Sequence, residues 1–460
     1  IDQDMLRLGG LVLAILAIFA AESRAECPEE TGAALRAANA TLDQQWIQLT
    51  SSKAELLAQG MLWNFTFGTQ GKYNLVEDIA LDTEGSVIAV GGIMDGVLRL
   101  YAVKLNATGA VLWQHTNRSS AEASYEGVCV APDDSIFAVG AGRSGPYPGN
   151  GDILISHFSP AGEELWTTLY TSGGRYDDQA WECTVDRFGS VLVSGHVGAG
   201  GDGNGDVQLV VLKYAAGGAL VWASLFGDAS AHERGNALAL LGPTGNNVVV
   251  VGSNAPQRGV GNVDVVMVTL RDSDGTVASS QRLDSVSTAG SDDVDDLVLD
   301  PAGDAFYLSG VVGCCVDGAS DPPGFNAFVA KYALNGTEIW TRVLGSTQYD
   351  RGFGLALHPS GTMVTVVGVA NAFVTGSTAP ALGGEDMLVA TFAAATGEPL
   401  WVRQGGTPGY DRVVSAAYDP DGTTIFLGGG VGGASLYRGV VIRDTIAAFD
   451  PIRYFDSINN

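Results

Sequence analysis

Residues 295–340 read DDLVLDPAGDAFYLSGVVG…NAFVAKYALNGTEIW. DDLVLD and AFYLSG are short alternating segments around the turn PAGD. AFVAKY and EIW form a second such pair around ALNGT. Alternation bounded by Gly, Pro, Asn and Asp is the pattern of β-hairpins, so the stretch predicts four antiparallel strands. Six further copies follow the same plan, each closing its first strand pair on a glycine: Gly91, Gly140, Gly195, Gly252, Gly368 and Gly428, beside Gly310 here. An alternating third strand follows each pair, as in RLYAVKLN, DILISHFS and DMLVATF. A short fourth strand then carries Trp113, Trp166, Trp222, Trp340 or Trp401, whereas the fourth copy has VASSQ instead.

Four strands per unit, at a period of roughly 50–60 residues, predict a seven-bladed all-β propeller. A solenoid would need shorter coils and parallel pairing. Closure is written at the two ends of the array. Leu62 to Phe67 is an extra tryptophan-bearing strand before the first copy, and the seventh copy lacks one after Arg443. Residues 62–67 are therefore expected to complete the last blade, one strand from the N-terminal side and three from the C-terminal side. The competing closer is Ile452 to Phe455. Joining the ends this way removes exposed strand edges.

With Asn326-Ala327-Phe328-Val329-Ala330-Lys331, Thr337-Glu338-Ile339-Trp340 and Tyr349-Asp350 in view, the repeat resembles the seven-bladed β-propeller repeats called SBBP repeats. The resemblance covers residues 62–449 and implies the architecture but no particular activity. His157, Thr269 and Thr391 stand where that pattern has lysine, and the fourth copy lacks the tryptophan.

The 460 residues carry 24 basic and 51 acidic side chains, a net charge of −27, with 63 glycines. Phosphate binding needs a basic stripe that this chain lacks, which argues against nucleic acid as a partner. Residues 5–25 have the parts of a secretory signal: Arg7, the apolar run Gly9 to Ala21, and Ser23-Arg24-Ala25 as a small-x-small cleavage site. The run is shorter than the roughly 20 residues that a spanning helix needs. Removing 1–25, with its residues upstream of Met5, leaves −26 and predicts an exported or cell-surface protein. Residues 26–60 read as one or two short helices with Trp46 as anchor, 61–450 as the propeller, and 451–460 as a tail. Sequons at Asn39, Asn64, Asn106, Asn117 and Asn335 fit export and glycosylation. Of the five cysteines, Cys129 and Cys183 lie one register apart in equivalent strands, so they are expected on opposite faces as small core residues. Cys314 and Cys315 could bond to each other or to Cys27.

The most regular polar feature precedes each first strand: Tyr73-Asn74, Tyr125-Glu126, Tyr176-Asp177, His232-Glu233, Ser291-Asp292, Tyr349-Asp350 and Tyr410-Asp411. Innermost strands line a propeller's channel, so Glu126, Asp177, Glu233, Asp292, Asp350 and Asp411 would ring its mouth. Converging carboxylates suit Ca²⁺ or another hard cation. The alternative is that each acid ties down its own loop through backbone N–H groups, which accounts for sevenfold repetition better than one metal does. A second row, Asp152, Asp206, Asp264, Asn326 and Asp386, begins the third strands behind long variable loops at the same end. The tryptophans read as blade-to-blade packing rather than as sugar platforms. Asp82, Asp186, Asp300 and Asp419 read as turn-formers at the opposite end. No H-E-x-x-H, G-x-S-x-G or phosphate-cradling glycine loop is present. The expected function is a secreted, non-enzymatic binding or adhesion scaffold that holds a glycan or protein over the long-loop face. The alternative is an exported polysaccharide hydrolase or lyase using Asp177, Glu233 or Asp350.

Overall fold

The computed structural model describes residues 61–445, apart from short stretches at 69–71, 117–121, 144–150, 174–176, 199–206, 228–231, 243–244, 256–262, 284–291, 314–324, 347, 375, 378–380 and 433–436. The described chain is a seven-bladed propeller of four-stranded antiparallel blades. Blades 1 to 6 span 74–116, 123–170, 179–226, 232–282, 292–344 and 350–405. Blade 7 takes three strands from 412–445, and its outer strand is Met61–Phe67, as the tryptophan count at the two ends predicts. The expected signal, the helices of 26–60, Cys27, Cys314, Cys315, Asp206, Asn39, Asn117 and the tail 451–460 lie outside the described residues.

Each innermost strand carries one β-bulge two to four residues in. The register shifts between Val76 and Asp78, Tyr125 and Gly127, Ala180 and Glu182, Gly235 and Ala237, Val294 and Asp296, Gly352 and Gly354, and Val413 and Ser415. The strand-closing glycines exist because of these bulges. A Cβ on Gly91, Gly140, Gly195, Gly252, Gly310, Gly368 or Gly429 would lie 1.6–2.2 Å from a backbone oxygen two residues before the bulge, so only hydrogen fits. In the seventh blade that glycine is Gly429, one position after the Gly428 of the repeat count.

Blades are sewn together at their outer ends. Trp63, Trp113, Trp166, Trp222 and Trp340 each donate their indole N–H to a carbonyl in the outer hairpin turn of the next blade: Ala107, Pro160, Ala216, Asp272 and Ala394, at 2.8–3.2 Å. Each indole lies over a turn glycine, such as Gly162 or Gly275, where a Cβ would meet the ring at 2.6 Å. The tryptophans are packing residues, as expected. Asp82, Asp186 and Asp300 close the inner hairpin turns and also bind Lys104, Lys213 and Lys331 at 2.8–2.9 Å. These lysines run along the third strands and are held below 15% exposed at the side chain. Such pairs cost dearly to break once desolvated.

One expectation is corrected. Cys129 and Cys183 form a disulfide between blades 2 and 3, with Cα atoms 5.8 Å apart. The one-residue offset is present, since Cys183 matches Val128 rather than Cys129. Its consequence is reversed, however: in a propeller the facing surfaces of neighbouring blades are opposite faces of equivalent strands. A one-residue offset is therefore what brings the two thiols together.

Candidate functional site in the channel mouth

The periodic acids divide into two groups. Asn74, Asp178, Glu233, Asp292, Asp350 and Asp411 occupy one equivalent position at the start of the inner strands, each at most 3% exposed. The backbone N–H of Asn74, Asp178, Asp292, Asp350 and Asp411 donates to the residue before the third strand of the preceding blade: Tyr437, Gly151, Val263, Phe325 and Glu385, at 2.7–3.0 Å. The Asp411 carboxylate accepts N–H groups from Thr407 and Gly432. Asp350 accepts them from Ser346 and Asn371, and Asp178 from Ser172 and Gly198. Each thus ties the preceding loop to the end of the second strand of its own blade. Burial raises Asp178 and Asp350, and pushes Asp411 up to about 6.

Of the six residues expected to ring the mouth, Glu233, Asp292, Asp350 and Asp411 hold these tethering positions. Asp177 is displaced by its neighbour Asp178 and instead accepts the Gly151 N–H at 2.7 Å. Glu126 alone faces the channel, because it lies three residues further along, at the bulge. In the second row, Asp386 accepts the Leu382 N–H and a Gln404 amide, and Asp264 pairs with Arg282. Among the described residues no three His, Cys, Asp or Glu side chains are grouped as a metal ion needs.

The channel is lined instead by the bulges. Their extra residues, Glu77, Glu126, Trp181, Asn236, Asp295, Phe353 and Val414, point inward. With Arg234, Asp293, Arg351 and Arg412 toward the mouth, and Asp78, Glu182, Asp296 and Ser415 beneath, they enclose a cavity of about 400 Å³. The lower tier is structural. Asp78 accepts the Val128 N–H of the next blade at 2.7 Å, and Asp296 accepts that of Leu355 at 2.7 Å. Burial pushes Asp78 up to about 7 and Asp296 up to about 6, and raises Glu182.

The upper charges are unevenly compensated. Arg351 grips Asp295 through two bonds of 2.6–2.7 Å and Asp293 at 3.0 Å. Burial still pushes Asp295 up to about 7 against that pull. Arg412 pairs with Glu385 at 2.9 Å and lies over the ring of Tyr437. Among the described residues Glu77 has only a long 3.4 Å bond from the Tyr73 hydroxyl, with Arg412 attracting it from further off, and Glu126 one from Ser124 at 2.6 Å. Burial, then repulsion from Glu126, pushes Glu77 up to about 8, and burial pushes Glu126 up to about 7. Arg234 is exposed and makes no side-chain ion pair or hydrogen bond with the described residues. Two carboxyl groups near neutrality, a half-buried indole and an unpaired guanidinium can together hold a small polar ligand.

Sequence reasoning missed Glu77, Asp295, Arg234, Arg351 and Arg412. Their one signal is the strand-closing glycine, whose cross-strand neighbourhood marks the bulge. No family model matches the chain, and no curated protein is significantly similar to it.

Proposed function

We propose that the protein is an exported binding scaffold of SBBP-like repeats that receives a glycan or protein ligand at the channel mouth. The observation that carries this reading is the mixed-charge cavity of about 400 Å³ at the end of the blades where the long loops lie. Polar groups preset on a rigid framework are the usual form of a ligand site. The Cys129–Cys183 disulfide supports export, since such bonds persist in oxidising compartments. So do the signal-like residues 5–25 and the sequons. Among the described residues no helix is long and apolar enough to cross a membrane. Glycan arrays and pull-downs of extracellular proteins with the full chain test the proposal. Binding is expected, and the double variant Glu126→Gln, Arg234→Gln should lose it without any fall in its thermal midpoint. Ligands that bind equally well to that variant would move the site away from the channel.

One observation favours a second reading. Glu77 and Glu126 are bulge residues of adjacent blades in the same cavity, and both carboxyls titrate near neutrality, where a general acid and a general base work. A hydrolase or lyase would use these two rather than Asp177, Glu233 or Asp350. In that case Glu77→Gln or Glu126→Gln should lower polysaccharide turnover at least a hundredfold and leave binding intact.

A further inference from the structure

We infer that the channel cavity takes a zwitterion, a ligand with a protonated amine at one end and a carboxylate at the other, such as a short peptide with free termini. The inference rests on the binding reading of this cavity and names its ligand class. Around the mouth, Arg351 is spent on Asp293 and Asp295, and Arg412 on Glu385. In the tier below, Asp78 and Asp296 are spent on backbone N–H groups. Glu182 is likewise spent on the Cys183 N–H, and Arg412 attracts Glu77 only from beyond contact distance. Two features make no direct ion pair with another described residue. One is the Glu77–Glu126 pair on blades 1 and 2, and the other is the exposed guanidinium of Arg234 on blade 4.

Between them, on blade 3, stands Trp181, half-buried, its indole N–H donated to Nδ1 of His196 at 3.2 Å. Glu126, Trp181 and Arg234 therefore follow one another on consecutive blades as a carboxyl group, an apolar plane and a guanidinium. A group bearing only positive charge would satisfy the carboxylates and leave Arg234 unmatched, and a group bearing only negative charge would do the reverse. A ligand with both satisfies both ends, with its carbon skeleton against the indole. Charge-assisted hydrogen bonds at each end are the strong kind and set orientation. The guanidinium offers a planar fork that fits a carboxylate, which makes the Arg234 end the acid end.

The test is calorimetric titration of the full-length protein with glycyl-phenylalanine and glycyl-glycyl-phenylalanine, each compared with its N-acetylated and its C-amidated form. At least one free peptide should bind, and blocking either end should weaken it tenfold or more. Arg234→Gln should erase the difference between free acid and amide and keep the preference for a free amine. Glu126→Gln should do the converse, and this crossed pattern is one that general unfolding cannot produce. Equal affinity for free and blocked peptides, or no binding by any of them, overturns the inference. If the array or pull-down yields a channel-dependent ligand while the peptides fail, only the zwitterion is lost. If no ligand is found by any route, the scaffold reading falls with it.

Discussion

At the residue scale the glycines carry more information than the acids. Seven of them permit seven bulges, and the bulges aim the channel residues. A Cβ on Gly310 would lie 2.0 Å from the Asp293 carbonyl oxygen and 2.9 Å from the Phe328 ring. Neither backbone can retreat without breaking its ladder. Gly310→Ala is therefore expected to destabilise the protein by about 3 kcal/mol, the upper range for overpacking, and to disturb the ion pairs of neighbouring Asp293 and Asp295. Denaturant unfolding measures the first effect. A loss below about 1 kcal/mol would mean that the bulge tolerates a side chain. The acids read differently in sequence and in space. Asp177 and Asp178 are adjacent, and counting could not choose the tether because the hairpin turns between the first two strands differ in length from copy to copy.

At the scale of elements, the blade interface is the unit that matters. Its outer end holds an indole, a glycine turn and a carbonyl, and between blades 2 and 3 the innermost strands add a covalent bond. That disulfide closes a loop across a sequence separation of 54. By chain entropy a loop of that size contributes about 4 kcal/mol against the unfolded state. Cys129→Ser with Cys183→Ser is expected to lower the thermal midpoint by roughly 5 °C, and reductant should lower the wild-type midpoint similarly, as scanning calorimetry would record. An unchanged midpoint would mean that the two thiols are not bonded in solution.

For the whole molecule, the central charge arrangement sets a pH dependence. Glu77, Asp78, Glu126 and Asp295 are pushed up to about 7 or 8, and Asp296 and Asp411 to about 6. In the unfolded chain such groups titrate near 4. Between pH 4 and 8 the folded state therefore holds protons that the unfolded chain has released, so stability falls as pH rises through that window. The net charge of −27 adds repulsion in the same direction. The thermal midpoint should be higher at pH 5 than at pH 8.5 by roughly 5 °C, and Glu77→Gln should flatten the slope. A midpoint that rises with pH across this range would show that these carboxyls are ionised throughout.

The blade number, the four-strand unit and the closing of the ring by residues 62–67 were legible in the chain itself. Each depends on alternation, turn residues and repeat length, which are local properties that a linear pattern carries. That an acid or amide stands near the start of most inner strands was legible for the same reason, but which of them tether was not, since Asp178 takes the place expected of Asp177 and Glu126 faces the channel. The channel was not. Glu77, Trp181, Arg234, Asp295, Arg351 and Arg412 are dissimilar residues in nearly equivalent places, and repetition hides them. Only the bulges turn them inward, and only the circular arrangement of the blades sets an acid pair, an indole and a guanidinium side by side. The Cys129–Cys183 bond has the same origin: which faces meet is decided by the packing of one blade on the next, and no single strand encodes it.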